Sequence, residues 1–445
     1  MQCTMPGMLR PALRRTWLQA TSAARAIAWE SITPRVRSRL AERQLLRVLR
    51  HAGERVPFYR RRLQEAGIGP RDLRSAADLR HLPVTTSQDI RNVEPRELVA
   101  EGTDTARCRI DRTSATSGSC LTVYLDPRDQ AWADAVWIRS YAHMGLRPGQ
   151  RRVLLESPDP LVKTEFKVPL RRLLRLPVPA IVSSVADVDD QLDALRRHAP
   201  QVLNGRMSAI VRIARRLEER ALVLGGVELV VVGGEPLQVD AQELVHERMG
   251  VWPRRVYGTT EVGFVAWECA RGAYHVNSDH VWCELVGDGS DGRANLVVTT
   301  LHRRAMPQLR FATGDVVRPA SRPCDCGSSW PVLGELLGRE TSFLRGPSGR
   351  LVSERQVAAM LARLGGSDRF RVVQRAELLD VFVHEALACS EGLGERVTAA
   401  LRDLVGDGIE ARMTSVAERD WWAEKQSLVI AVPPECAGKA SPAPL

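Results

Sequence analysis

Short apolar runs alternate with amphipathic stretches between residues 128 and 259, and this alternation restricts the fold more than any other feature of the sequence. The strand candidates read "RRVLLES", "QVLNG", "ELVVVGG" and "WPRRVYG", and helical stretches such as "MSAIVRIARRLEER" and "DAQELVHERMG" separate them. Strands that alternate with helices are typical of parallel sheets covered by helices. The sequence therefore predicts parallel α/β layers over this part of the chain.

The flanking segments predict further units. Leucine and arginine recur at helical spacing from Arg35 to about Glu65, which indicates an amphipathic helical lead-in, and Thr86 or Ser87 is placed to cap a short helix. The run "LTVYLD" predicts a strand before a helix over 128–144. Closely spaced strands from about Tyr274 are typical of an antiparallel barrel. The polar, glycine-rich "LGRETSFLRGPSGR" then marks a boundary before a final unit of roughly 100 residues.

These patterns predict an α/β protein with a large N-terminal domain, in which parallel α/β layers are followed by a small β-barrel, and a small C-terminal domain. We place the divisions at 1–34, 35–337 and 338–445. The first segment has several arginines and no acidic residue before residue 27, but it has no apolar h-region or cleavage pattern. It is therefore interpreted as a solvated helical extension rather than a targeting peptide.

Composition excludes several functional classes. No apolar run approaches the roughly 18 residues that a membrane span needs, so no membrane span is expected. The formal net charge is +10, yet only 5% of residues are aromatic and they do not interleave with arginines, so a nucleic-acid function is not expected. The nine cysteines are sparse and irregular, which favours a reducing cytoplasm.

Three short motifs carry chemistry. The loop "TSATSGSC" over 113–120 gathers hydroxyls around Gly118, which suits a phosphate but is also common in turns. The string "VYGTTEVGF" offers a ring to stack, hydroxyls for phosphate and, at Glu261, a carboxylate for Mg²⁺. In "QLRFATGDVV", Asp315 follows a glycine turn, where a carboxylate can accept both hydroxyls of a ribose. Each motif alone is ambiguous.

The order of these motifs resembles that of the adenylate-forming, AMP-binding superfamily of acyl-CoA synthetases. A Ser/Thr/Gly loop is followed by "GGEP", "YGTTE", "TGD", a "GR" at the boundary and a Gly-Lys near the C-terminus. The lead-in "VPFYRRRLQEAGIGPRDLRSAADLRHLPVTTSQDIR" is similar to that of the phenylacetate-CoA ligase branch, which includes relatives connected with capsular polysaccharide biosynthesis. The resemblance extends from about Ser38 to Lys439.

The resemblance implies an ATP- and Mg²⁺-dependent ligase. It would activate a small, aryl carboxylic acid to its adenylate and then form a thioester with coenzyme A, after the small, mobile α+β C-terminal domain rotates. A carrier-protein thiol or an amine is the alternative acceptor, and a degenerate, non-catalytic nucleotide-binding protein is the rival reading. Whether the protein forms a homodimer stays open.

The resemblance also assigns residue roles. The β- and γ-phosphates would be gripped by Thr113, Ser114, Thr116, Ser117 and Gly118. The adenine and acyl pocket would be bordered by Gly234, Glu235 and Pro236, and the nucleotide would lie against Tyr257, Gly258 and Thr259. Thr260 would contact the α-phosphate, Glu261 would ligate Mg²⁺, Asp315 would hold the ribose with Arg339 beyond it, and Lys439 would be the catalytic lysine.

The sequence departs from the family pattern in the phosphate loop and at the hinge before the C-terminal domain. Ala115 stands where a loop glycine is expected, Ser119 and Cys120 stand where many relatives have Lys or Thr followed by Pro, and Glu340-Thr341 follows Gly338-Arg339 at the hinge. The altered hinge bears on thioester formation more than on adenylation. These departures are what motivates the non-catalytic alternative.

Some members of the branch carry the same Cys, His and Cys-x-Cys elements as this chain. Cys269, His275, Cys324 and Cys326 would supply three thiolates and one imidazole, a sound tetrahedral set for a structural Zn²⁺, and reduced thiols in a loop are the alternative. Trp137 and Tyr141 lie one helical turn apart and are candidates for an acyl pocket. His280 and His302 are interpreted as structural, because adenylation needs no base.

Overall fold

The structure is a computed structural model. It describes residues 9–69, 72–112, 121–156, 178–236, 238–287, 292–421 and 428–432; the side chains of 9–13 and of residue 419 are not included.

The helices follow the predicted pattern over most of the chain. Their bounds are α1 Leu9–Ala28, α2 Pro34–Arg55, α3 Pro57–Glu65, α4 Ser87–Arg91, α5 Pro95–Leu98, α6 Pro127–His143, α7 Val188–His198, α8 Met207–Glu219, α9 Val239–Met249, α10 Glu354–Ala362, α11 Glu385–Ala388, α12 Leu393–Val405 and α13 Glu418–Trp421. Within the described ranges, no helix is both long enough and apolar enough to cross a membrane.

The strands are short, as predicted. Their bounds are β1 Arg109–Arg112, β2 Thr122–Leu125, β3 Arg152–Glu156, β4 Ala180–Ser183, β5 Val202–Arg206, β6 Leu229–Gly233, β7 Arg254–Thr259, β8 Gly263–Glu268, β9 Tyr274–Val276, β10 Val281–Val286, β11 Ala294–Thr300, β12 Phe311–Arg318, β13 Glu335–Arg339, β14 Phe343–Arg345, β15 Leu351–Ser353, β16 Phe370–Arg375, β17 Leu378–His384, β18 Glu410–Val416 and β19 Val429–Val432.

The helical lead-in is divided into two helices. Val56 between α2 and α3 is extended, with φ −108° and ψ 112°, and Pro57 is the first residue of α3. A residue before proline is disfavoured in the α region, so α2 ends at Arg55. Downstream, Thr86 rather than Ser87 caps α4, because its hydroxyl accepts the N–H of Asp89 at 3.1 Å.

The N-terminal segment is not the solvated extension predicted from its arginines. Helix α1 packs along α6 and buries Gln19, Ser22 and Ala26. Arg139 of α6 donates to the carbonyl oxygen of Ala26 at 3.3 Å. The exposed arginines had suggested a wholly solvated helix, but the opposite face of α1 carries small residues that fit closely against α6.

A seven-stranded sheet forms the centre of the molecule. Its order is β4-β3-β5-β6-β7-β8-β9; neighbours from β4 to β7 are parallel, and β7, β8 and β9 are antiparallel. One face packs on α7, α8 and α9 through a core that includes Leu155, Leu203 and Val230. The carboxyl ends of β5, β6 and β7 therefore meet at one edge, which is where ligands bind in open α/β sheets.

A second, antiparallel sheet follows in the chain. Its order is β10-β11-β12-β13 and each neighbouring pair is antiparallel, as predicted for the strands after Tyr274. Among the described residues β13 does not pair with β10, so these strands form an open sheet and not the closed barrel that was predicted. Thr85 bridges to Phe311 of β12, so the segment before α4 is tied to this sheet. Asp315 of β12 pairs directly with Arg339 of β13, which places two predicted nucleotide residues side by side.

The C-terminal segment has a core of its own. The sheet β18-β17-β16-β19 packs with α10 and α12 around buried aliphatic residues that extend from Leu344 to Val429. The predicted boundary between 337 and 338 falls inside β13, two residues before that strand ends. The division into domains at this point stays a prediction. We call the part from Phe343 onward the C-terminal unit.

Candidate functional site

Two of the predicted elements lie outside the described residues. These are the Ser/Thr/Gly loop with Thr113, Ser114, Thr116, Ser117 and Gly118, and the lysine at position 439. Their predicted roles stay predictions. The remaining residues of the site can be located.

The turn after β6 is tightly fixed. A Cβ at Gly233 would lie 2.5 Å from a Val256 methyl group, and Gly234 has φ +80°, so glycine suits both positions. The carboxylate of Glu235 accepts the N–H of Ser208 at 2.8 Å. Ser208 is in the first turn of α8, where a negative charge is favoured by the helix dipole. This carboxylate therefore holds the turn against α8, and Pro236 follows at an exposed position.

The predicted adenine and ribose residues come together. The Tyr257 hydroxyl donates to Oδ2 of Asp315 at 2.6 Å, across 58 residues of chain. Burial raises the pKa of Tyr257 well above its usual range, and the charge of Asp315 raises it further, so the hydroxyl stays protonated. The next residue, Gly258, has no space for a side chain because a Cβ would collide with the carbonyl oxygen of Gly263.

Arg339 extends this cluster toward the solvent. Its Nε lies 3.9 Å from Oδ1 of Asp315, and its side chain is 58% exposed while that of Asp315 is 13% exposed. The Thr313 hydroxyl accepts the N–H of Asp315 at 3.1 Å and fixes its backbone. A carboxylate has about four acceptor sites, so the bond from Tyr257 does not exhaust what Asp315 can accept.

Thr260 and Glu261 lie in the turn that follows Thr259, the last residue of β7. The Thr259 hydroxyl accepts the N–H of Val262 at 3.4 Å. The guanidinium of Arg303, three residues after β11, donates to the carbonyl oxygens of Thr260 and Glu261. The sequence analysis missed Arg303. It lies in "LHRRAMPQLR", where nothing in the residue pattern separates the buried Arg303 from the exposed Arg304 beside it.

The aromatic pair on α6 packs as a unit. The rings of Trp137 and Tyr141 are stacked with centroids 4.0 Å apart, and the Tyr141 hydroxyl bonds to the side chain of Asn204 on β5. Tyr141 is buried. The pair thus lies on the α6 face of the central sheet, and its role in an acyl pocket stays a prediction.

The four predicted zinc ligands also come together. One potential ligand atom from each of Cys269, His275, Cys324 and Cys326 lies within 4.8 Å of the others. Cys269 Sγ is 3.7 Å from Cys324 Sγ, and Cys326 Sγ is 3.2 Å from His275 Nε2. His275 Nδ1 lies 2.9 Å from the Trp330 carbonyl oxygen, and a proton donated there leaves Nε2 to face the sulfurs. We call these four residues the Cys/His cluster.

Of the two histidines interpreted as structural, His280 is buried and His302 is half-buried, and both are uncharged. Burial lowers the pKa of His302 to about 3 and that of His280 well below its usual range. The His302 ring packs on Trp132 with centroids 4.4 Å apart. Neither histidine is poised to exchange a proton near neutral pH.

Comparisons with known proteins were made at the levels of sequence and structure. No family model matches the chain. A phenylacetate-coenzyme A ligase of Thermus thermophilus is 30% identical over 318 residues, which cover 68% of this chain and 71% of that protein. An Escherichia coli protein of the same name is 29% identical over 304 residues, covering 63% of this chain and 66% of that protein.

A solved structure is similar over most of the molecule. 2-Hydroxyisobutyryl-CoA ligase, in the postadenylation state in complex with R3-HIB-AMP, has a TM-score of 0.73 and covers 91% of each chain at 20% identity. At this identity the likeness shows a shared fold.

Proposed function

Since the chain belongs to the phenylacetate-coenzyme A ligase family, we propose that it activates a small aryl carboxylic acid with ATP and Mg²⁺ and transfers the acyl group to coenzyme A. Its fold is that of the adenylate-forming ligases. It is an acid-thiol ligase, an enzyme that forms a carbon-sulfur bond. The observation that carries the nucleotide site is the hydrogen bond between Tyr257 and Asp315, beside the Gly233-Gly234 turn.

The first half-reaction forms the acyl-adenylate. The carboxylate of the acid attacks the α-phosphorus of ATP, the bond to the bridging oxygen breaks and pyrophosphate leaves. Tyr257 would stack on adenine, Asp315 would accept the ribose hydroxyls, and Thr260 would contact the α-phosphate. Each of these groups orients one part of the nucleotide for in-line attack.

Charge neutralisation completes this step. A carboxylate is a suitable ligand for Mg²⁺, and Glu261 is the residue that would hold it; the ion would neutralise the phosphates. Lys439 would bridge the acid carboxylate and the α-phosphate as charge develops between them. In the second half-reaction, a thiol attacks the acyl carbon and AMP leaves.

We propose in addition that the Cys/His cluster holds one structural Zn²⁺. Three sulfurs and one imidazole nitrogen within 4.8 Å can close to a tetrahedron, and the hydrogen bond from His275 to Trp330 orients the imidazole. Four protein ligands leave no position for a substrate, so the metal would stabilise the fold. The six described cysteines are free, which suits a cytoplasmic enzyme.

The function is tested by exchange of labelled pyrophosphate into ATP, with Mg²⁺, over a panel of aryl and short aliphatic acids. Exchange with one or a few aryl acids is expected, and thioester formation with coenzyme A should follow for the same acids. Exchange without a coenzyme A thioester would indicate a carrier-protein thiol or an amine as the acceptor. ATP binding without exchange would favour the non-catalytic alternative.

A matched pair of variants tests the nucleotide site. Asp315→Asn should raise the KM for ATP at least tenfold in this assay, because it removes the charge that accepts the ribose hydroxyls. Asp380→Asn is the control, since Asp380 is a buried carboxylate that, like the half-buried Asp315, pairs with arginine, but it lies in the C-terminal sheet. Equal KM values for the two variants would remove the ribose role from Asp315.

A further inference from the structure

Arg303 is a fully buried cation behind the Thr260-Glu261 turn. It lies three residues after β11 and is 4% exposed. Its Nη1 donates to the Glu261 carbonyl oxygen, and both Nη1 and Nη2 lie 3.4 Å from the Thr260 carbonyl oxygen. One guanidinium thus fixes two successive peptide groups of the turn.

The surroundings of Arg303 keep it charged and in place. Burial has the largest effect on the pKa of Arg303 and lowers it to about 10, although the charges of Asp111, Asp129 and Glu261 act in the opposite direction. Arg303 is therefore protonated near neutral pH. The Asp129 carboxylate accepts the N–H groups of Arg304 and Ala305 at 3.0 Å, which fixes the backbone that carries Arg303.

The turn has room for the guanidinium because residue 263 is a glycine. Gly263 has φ +81°, and a Cβ there would lie 2.9 Å from Nη2 of Arg303 and 3.3 Å from Nε2 of His280. A side chain at this position would displace the arginine from the turn. His280 is uncharged, because burial and the nearby charge of Arg303 lower its pKa. Arg303 is therefore the cationic side chain at this contact.

We propose that Arg303 is the positioning residue of the magnesium and α-phosphate site. Its guanidinium holds the carbonyl groups of residues 260 and 261 toward itself, so that these dipoles are directed away from the phosphates. The same contacts fix the backbone from which the Thr260 and Glu261 side chains extend. The positive charge of Arg303 favours the anionic α-phosphate, whereas its effect on Mg²⁺ comes from the position it gives the Glu261 backbone. The inference rests on the proposed function, because it assigns Arg303 to the same site.

The proposal predicts a specific kinetic signature. Arg303→Met removes the charge and both contacts, and should raise the Mg²⁺ concentration for half-maximal pyrophosphate exchange at least tenfold and lower kcat, while the KM for the acid changes less than twofold. Arg303→Lys keeps the charge but lacks the planar fork, so it should recover part of the Mg²⁺ dependence. Urea unfolding gives the stability of each variant.

Arg139→Met is the matched control. Arg139 is also buried and binds a buried carboxylate, Asp279, at 2.5 Å, but it joins α6 to the segment before β10. It should lower stability without moving the Mg²⁺ dependence of the remaining activity. If Arg303→Met reduces activity and leaves the Mg²⁺ dependence equal to that of the parent and the control, Arg303 has a structural role alone and the proposal is wrong.

Failure of the proposed function gives a different result. If the parent shows no exchange with any acid, binding of ATP with Mg²⁺ is measured by titration calorimetry. The positioning role then predicts at least tenfold weaker binding to Arg303→Met than to the parent. Equal binding, or no binding to the parent, overturns the assignment of Arg303.

Discussion

Replacing Glu354 with glutamine is expected to stabilise the protein above pH 7 and to change little near pH 5. Glu354 is the first residue of α10 in the C-terminal unit and is 2% exposed. Its Oε1 accepts the N–H of Leu428 at 3.1 Å. Burial raises the pKa of this carboxyl group from 4.5 to about 7, and the bonds from Leu428 and Ser342 offset only part of that rise.

The magnitude follows from linkage between protonation and folding. Because the pKa is higher in the folded protein, the folded state keeps the proton longer, and this group's contribution to stability is complete below about pH 4.5. It is lost as pH rises to about 7 and changes no further above that. At about 1.4 kcal/mol per pKa unit, the loss approaches roughly 3 kcal/mol. The glutamine of the variant stays neutral at every pH, so the variant does not lose this part of its free energy of unfolding.

The assay is urea unfolding of the full chain at several values between about pH 5 and pH 8, followed by tryptophan fluorescence, with Trp421 reporting on the C-terminal unit. Glu410→Gln is the control, because Glu410 is an exposed glutamate on β18 of the same unit. Asp129, whose pKa burial raises to about 7, is present in all three proteins, so its contribution cancels. A difference between Glu354→Gln and the parent that is the same at pH 5 and pH 8, or a less stable variant at pH 8, would refute the reasoning.

Three further predictions concern the proposed zinc site, the proposed role of Lys439 and the contact between the N-terminal part of the chain and the C-terminal unit. Protein purified without added metal should contain about one equivalent of zinc. The Cys326→Ser variant should lose this zinc, whereas the Cys389→Ser variant, changed at an exposed thiol, should keep it. A zinc content near zero in the parent would mean that the cluster holds reduced thiols instead of a metal. Lys439→Ala should lower pyrophosphate exchange on the order of a hundredfold, and an unchanged rate would remove that lysine from the mechanism. Arg215→Ala breaks a bidentate ion pair with Asp368 of the C-terminal unit, and it should change the ratio of pyrophosphate exchange to thioester formation. Arg216→Ala is the control and should leave this ratio unchanged, because the ion pairs of Arg216 stay within the N-terminal part.

The sequence predicted those parts of the fold that local patterns determine. Alternating strands and helices located β3, β5, β6 and β7. β3 and β6 are the clearest, because a strand buried on both faces is a short apolar run whatever its neighbours are. The motif at Tyr257 and the one at Asp315 were each ambiguous alone. They became informative through their order along the chain, and the structure joins them by a hydrogen bond.

The remaining features depend on distant partners. Arg303 and Arg304 are adjacent and chemically identical, yet one is buried and the other exposed. The difference lies in the carbonyl groups at 260 and 261, some forty residues earlier, which accept the buried guanidinium. Burying a charge is unfavourable unless such acceptors are already in place, and no local periodicity records where they are.

The same reasoning explains why Glu235 was only half understood from the sequence. The family resemblance placed it, with Gly234 and Pro236, at the border of the adenine and acyl pocket. The use of its carboxylate depends on α8, whose first turn begins at the end of the neighbouring strand β5 and presents the N–H of Ser208. Because β5 and β6 are adjacent and parallel, any acidic side chain in this turn lies near a helix N-terminus. The sheet order therefore gives Glu235 a structural role, which is to hold the turn after β6 against α8.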